Sequence, residues 1–176
     1  EALKAGNPGD TILVANGDSV GGSAFESAIL NDEPTIDLLN LYGLDASTAG
    51  NHEFDQGWAD FRDRIIAQAT FPYLGANISG SDTESNLEDF TIVTTAAGVD
   101  VAFVGTLTPE LPSLVSPDGI VGITVSSIYD ATNAAAAALS DGDDANGEAD
   151  VVIALTHYGH QGLVAGSFSE DVDAVF

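Results

Sequence analysis

Short apolar runs, each closed by a cluster of small and polar residues, set the pattern of this chain. Thr11–Ala15 and Val151–Leu155 are wholly or nearly wholly apolar, the pattern of a strand buried on both faces. Ala46–Ala49, Phe71–Ala76 and Asp171–Phe176 read as further strands, and Phe90–Thr95 and Val99–Gly105 flank Ala96-Ala-Gly98 as a hairpin. Helical spacing falls between them. One helix opens at Glu33-Pro34, where proline suits the first turn and acidic residues suit the positive end. It carries Ile36, Leu38, Leu39 and Leu41 and stops at Gly43. A second runs from Trp58 to Gln68 with Phe61, Ile65 and Ile66 inward and Arg62 and Arg64 solvated, and a third from Ser127 to Leu139. Trp58, Tyr42 and Tyr73 read as core or rim packing. Asn77–Asp89 is polar enough for a surface loop, and Thr106–Gly122, broken by prolines, for a long irregular connection of the kind that borders sites.

Strands alternating with helices predict an α/β layered fold with a parallel or mixed sheet, and 176 residues suit one domain with a real core. In such folds ligand-binding groups gather past the carboxyl ends of strands. Three predicted strands end in chemically capable residues. Asn16-Gly17-Asp18 follows the first, Gly50-Asn51-His52-Glu53-Phe54-Asp55 follows the second, and Thr156-His157-Tyr158-Gly159-His160 follows the Val151 strand. Taken singly, a Gly-Asp pair after a strand is more often a turn than a site. Taken together, Asp18, Asn51 and His157 form a nitrogen and oxygen donor set for an ion such as Mn, Fe, Zn or Mg, and not a thiolate zinc site, since the chain has no cysteine. His52 and Asp55 are three apart, so a helical turn places them on one face, where the carboxylate orients the imidazole for general acid work. His160 reads as a neighbour of this group, not a ligand.

Charge narrows the partners. Twenty-eight Asp and Glu residues oppose three Lys and Arg, a formal net charge of -25. No basic patch can form, which argues against polymeric nucleic acid and anionic membrane surfaces. A phosphate substrate would need metal ions or helix N-termini to meet its charge. The acidic segment Asp141–Glu148 does not place its glycine and carboxylates in calcium-loop register and reads as a solvated turn. No apolar stretch is long enough to span a membrane, and the first residues do not form a signal peptide.

Asn16-Gly17-Asp18 with Gly22-Ser23, the Gly50–Asp55 block, and the strand ending Thr156-His157-Tyr158-Gly159 resemble successive signature blocks of the calcineurin-like metallophosphoesterases. The likeness is strongest to the catalytic domain of the secreted 5'-nucleotidase and UDP-sugar hydrolase group, and Pro34–Asn40, Leu74-Gly-Ala-Asn77 and the Gly98–Gly105 region agree in order. The resemblance implies a layered fold of mixed sheets flanked by helices, and two divalent metal ions such as Mn or Zn. It implies that Asp18 bridges the metals, that Asn51 and His157 are metal ligands, and that His52, held by Asp55, is the catalytic histidine. The implied reaction is in-line attack of a metal-activated water on the phosphorus of a nucleotide or similar small ester, in a secreted, periplasmic or cell-surface setting.

The family's Asp-x-His block and Gly-His-x-His block have no counterpart here, nor has the second, nucleobase-holding domain. The resemblance therefore implies a partial catalytic domain over residues 1–176, incomplete at both ends, that alone binds metal weakly and turns over little substrate. A non-catalytic binding or surface module that keeps the fold, and an acidic salt-adapted or calcium-binding scaffold, are the competing readings.

Overall fold

The computed structural model describes residues 2–143, 145, 147–159 and 162–176. Helix α1 (Ala2–Gly6) leads into β1 (Val14–Ala15), α2 (Phe25–Ala28), α3 (Glu33–Tyr42) and β2 (Ala46–Thr48). After a single 3-10 turn at His52–Phe54 comes α4 (Trp58–Asp60), continued by a π-helical segment, Phe61–Ile66. The strands β3 (Tyr73–Leu74), β4 (Ile78–Ser79), β5 (Phe90–Thr94) and β6 (Asp100–Leu107) follow. Helix α5 (Leu111–Leu114), β7 (Thr124–Val125), α6 (Ile128–Ala138), β8 (Val151–His157) and β9 (Ala174–Val175) complete the chain.

Two larger sheets face each other. One is parallel, in the order β1-β2-β3; the other runs β5-β6-β8-β9, with only the β5-β6 hairpin antiparallel. Ala46 and Leu74 from the first sheet pack on Val101, Phe103 and Leu155 from the second, so an apolar seam holds the layers together. Helix α6, whose N-cap Ser127 hydroxyl accepts the Asp130 N–H at 3.3 Å, covers the outer face of the larger sheet, with Ala136 and Leu139 against Ala102, Val104 and Val152. On the other side, Phe54, Trp58, Phe61 and Tyr73 build an aromatic cluster in which Phe61 meets Tyr73 edge-on at 5.0 Å. The fold is thus α/β with mixed sheets flanked by helices, as the alternation of patterns predicts.

The differences lie in detail. The Thr11 run contributes only Val14 and Ala15 to paired strand, because Leu13 is bound through Asp45, whose carboxylate accepts the Leu13 N–H at 2.7 Å. The expected surface loop after Asn77 holds β4, which pairs antiparallel with β7, just past the end of the expected irregular connection. Neither two-residue strand carries an apolar run, so nothing local announces it. Thr106 and Leu107 extend β6 beyond its predicted end, and α5 forms within the same connection. In α3 only Ile36 is fully buried, while Leu38 and Leu41 are exposed. Trp58 and Tyr73 are core residues, whereas Tyr42 is exposed.

The two arginines are not free in solvent. Arg64 reaches Asp60 at 2.6 Å and the Asn31 carbonyl, and Arg62 reaches Asp63 at 2.6 Å and Asp82 at 2.9 Å. Lys4 donates to the carbonyls of Tyr42 and Gly43 at the end of α3, where a cation complements the helix dipole.

Candidate metal centre

The carboxyl ends of β1, β2 and β8 meet at one edge of the two layers. β8 belongs to the opposite sheet from β1 and β2, so the convergence is between sheets and not along one. His157 Nε2 lies 3.3 Å from Asp18 Oδ2 and 3.2 Å from Asn51 Oδ1. Close approach of the three loops depends on glycine at two positions. At Gly17, with φ 77°, a Cβ would stand 2.7 Å from His157 Nδ1. At Gly50 a Cβ would overlap the Asp18 backbone and stand 2.7 Å from a Glu53 carboxylate oxygen.

The orientation of His157 tests whether these residues suit a cation. Its Nδ1 lies 2.7 Å from the Asn16 carbonyl oxygen, a contact that an N–H must bridge, so the neutral ring carries its lone pair on Nε2. That lone pair faces the oxygens of Asp18 and Asn51. Three acceptors turned toward one another call for a positive charge among them, either a proton on Nε2 or a metal ion. The donor set of one carboxylate, one amide oxygen and one imidazole suits a divalent ion of the Mn, Zn or Mg kind. Among the described residues no group of three or more His, Asp and Glu side chains gathers to hold a metal, and these three donors fall short of what two ions need.

Charges in the centre are mutually tuned. Burial works against the charged form of the His157 ring, but the Asp18 carboxylate and the Asn16 carbonyl outweigh it and raise its pKa. Burial likewise opposes the Asp18 anion, yet the hydrogen bonds from His157 and from the His52 N–H, which reaches Asp18 Oδ1 at 3.0 Å, keep its pKa lowered. His52 sits beside this group on the 3-10 turn. Its Nδ1 is 2.9 Å from Asp55 Oδ2, and that bond raises the imidazole pKa. The predicted pairing of His52 with Asp55 is therefore present, on a tighter turn than an α-helix.

Several residues of the centre were not foreseen. Asn16 orients His157 through its carbonyl and ties its own side chain to the Thr156 carbonyl at 3.2 Å. Glu53, inside the motif but assigned no role by pattern, is buried beneath it. Asp32 occupies the N-cap position of α3 without capping it. Its carboxylate instead takes the Gly21 N–H at 3.0 Å and the Ser27 hydroxyl at 2.5 Å, bracing the glycine pair that lies against His52. An open cavity of about 780 Å³ adjoins Asn51 and His157 and is lined also by Thr108, Glu110 and Tyr158. Among the described residues, Lys4, Arg62 and Arg64 bond elsewhere and not to this centre. His160 and two positions of the predicted acidic turn, Asp144 and Asn146, lie outside the described residues.

The sequence profile of the family described as calcineurin-like phosphoesterase matches residues 1–175. Over 140 residues the chain is 35% identical to the endonuclease YhcR of Bacillus subtilis (strain 168), covering 72% of this chain and 11% of that protein. Over 152 residues it is 28% identical to a 5'-nucleotidase of Vibrio cholerae serotype O1, covering 86% of this chain and 27% of the relative. The crystal structure of the calcineurin-like phosphoesterase YfkN from Bacillus subtilis superposes with a TM-score of 0.75 at 26% identity, over 99% of this chain and 59% of that one. The chain thus spans only part of the length of each of these three proteins. With the family profile matched almost end to end and a solved member sharing its two-sheet fold, the chain belongs to the calcineurin-like phosphoesterase family.

Proposed function

We propose that this chain is the metal-binding core of a phosphohydrolase that acts on nucleotides or related small phosphate esters. The observation that carries the reading is the meeting of Asp18, Asn51 and His157 beside the His52–Asp55 pair. Divalent cations such as Mn or Zn, held through those three donors, would supply Lewis-acid stabilisation of phosphoryl charge and activation of water. Asp55 fixes the His52 ring and raises its pKa, which favours the protonated form that would donate to the departing oxygen of the ester. The neighbouring cavity, about 780 Å³ in volume, has room for the remainder of a nucleotide. Nucleotides are favoured by the likeness to a 5'-nucleotidase, and polymeric nucleic acid is disfavoured by a net charge of -25. The endonuclease name belongs to a protein of which this chain matches 11%. A secreted or cell-surface setting is part of the same proposal.

Three donors for a two-metal chemistry make residues 1–176 a partial catalytic domain, with weak metal binding and little turnover alone. The test is hydrolysis of AMP and of p-nitrophenyl phosphate with Mn²⁺, on this chain and on the longest natural form that contains it. Turnover by the longer form that disappears with chelator and in His52→Ala supports the reading. Metal binding by that form with no hydrolysis of either ester would overturn it in favour of a non-catalytic module.

A further inference from the structure

Glu53 is 1% exposed, yet its carboxylate is not a packing group. It collects three backbone N–H groups from two loops. Oε1 accepts from Ser19 at 2.8 Å, while Oε2 accepts from Asp18 at 2.9 Å and Gly50 at 2.7 Å. Asp18 and Ser19 lie beyond β1, and Gly50 lies beyond β2. One side chain therefore ties the loop bearing the Asp18 carboxylate to the loop bearing Asn51 and His52. The tie is returned from the other side, because Asp18 Oδ1 accepts the His52 N–H.

Two features show that this arrangement is held against resistance. Asp18 adopts φ 53°, a left-handed conformation that disfavours a residue with a Cβ. A carboxylate buried beside another carboxylate is itself costly, and only the directed N–H bonds offset it. An apolar side chain would fill the space under the loops without either cost, and it would leave Asp18 free to take an ordinary conformation.

We propose that Glu53 is a positioning residue: by clamping the N–H groups of Asp18, Ser19 and Gly50 it sets the separation between the Asp18 carboxylate and the Asn51 side chain, and so the affinity of the centre for a divalent ion. The role rests on the metal-centre reading above. Glu53→Gln keeps the shape but sets an NH2 donor against the Ser19 N–H, or against those of Asp18 and Gly50, so at least one of the three bonds is lost and the neutral amide oxygen holds the others more weakly than a carboxylate does.

The experiment combines Mn²⁺ titration calorimetry with amide hydrogen exchange by NMR. In the wild-type chain the Asp18, Ser19 and Gly50 amides should be protected beyond their loop neighbours. Glu53→Gln should bind Mn²⁺ roughly 10–100-fold more weakly, as removal of a group that orients metal ligands does. Ile36→Val, a core substitution away from the centre, should lower the melting temperature and leave Mn²⁺ affinity unchanged. If Glu53→Gln does not fold, the wild-type amides decide: free exchange at those three positions overturns the clamp, and protection upholds it. Protected amides with Mn²⁺ affinity unchanged in a folded Glu53→Gln would overturn this role alone. The titrations are made on the longest natural form that contains this chain, and a wild type of that form that binds no Mn²⁺ would overturn the metal reading and this role with it.

Discussion

Asp18 and His157 approach to 3.3 Å between Oδ2 and Nε2, although one follows a strand of the parallel sheet and the other ends a strand of the facing sheet. The contact closes the edge of the two layers and joins the loops that carry the proposed donors. It also makes a direct demand on any substitution. Asp18→Asn, which tolerates the left-handed backbone, should leave the fold intact and weaken Mn²⁺ binding at least about 10-fold, and His157→Ala should do the same. Calorimetry with far-UV circular dichroism as the fold control checks both; unchanged affinity in either variant would remove that residue from the donor set.

His52 and Asp55 should separate chemistry from binding. In the longest natural form containing this chain, His52→Ala should lower kcat for AMP by about 10²–10⁴-fold with a small change in KM, since a general acid acts in the transition state. Asp55→Asn should lower kcat less and bring the His52 pKa down toward the ordinary 6.5, because the Asp55 bond is the largest cause of its elevation. NMR titration of the ring reads the second effect without any substrate.

Metal-free protein should respond to pH in a defined direction. His52 and His157 both have pKa values raised above 6.5 in the folded state, so their stabilising contribution is complete below that value and fades as pH rises through the raised ones. Asp18, lowered from 3.8, contributes above that value and loses its contribution as pH falls through the lowered one. Thermal melts in chelator should therefore show stability declining from pH 6 toward pH 8. Mn²⁺ affinity should move the other way, rising over the same interval, because proton and metal compete for His157 Nε2.

A net charge of -25 predicts a salt response. Raising NaCl from about 0.1 to 1 M shortens the screening length from roughly 10 to 3 Å and weakens self-repulsion. The melting temperature should rise by roughly 5–10 °C, and sucrose at matched osmolality should raise it less. A flat or falling response would mean that repulsion does not limit stability.

Tyr73 offers a stability test free of the site's metal chemistry. Its hydroxyl is buried with no hydrogen-bond partner among the described residues, and burial together with the Glu53 charge pushes its pKa well above the usual phenol range. Tyr73→Phe removes a desolvated hydroxyl and keeps the ring contacts with Phe61 and Phe71, so it should be neutral or stabilising by up to about 1–2 kcal/mol in urea melts. A loss of more than about 1 kcal/mol would show that the hydroxyl is satisfied in solution.

Much of the fold was legible where the local signal is strong. The apolar run of β8, the hairpin of β5 and β6, the helix start at Glu33-Pro34 and the alanine-rich α6 each state their own conformation through composition and spacing. The short strands β4 and β7 were not, because two residues cannot express a period and their pairing joins segments far apart in the chain. The π-helical stretch after Asp60 carries the sequence pattern of an ordinary helix for a similar reason: its apolar residues face the core either way.

The sequence by itself determined which chemistry is available. The absence of cysteine, the scarcity of cations, and the placing of Asp18, Asn51, His52, Asp55 and His157 just past strand or turn signals are properties of composition and short-range order. Tertiary structure alone decided which of these meet and what holds them. The sheet that carries His157 faces the one that carries Asp18, Asn16 turns the imidazole, Asp32 leaves its helix to brace Gly21, and Glu53 disappears beneath two loops to gather their N–H groups. Those outcomes depend on where each polar group can find a partner once the layers close. That accounting is three-dimensional, and no spacing along the chain records it.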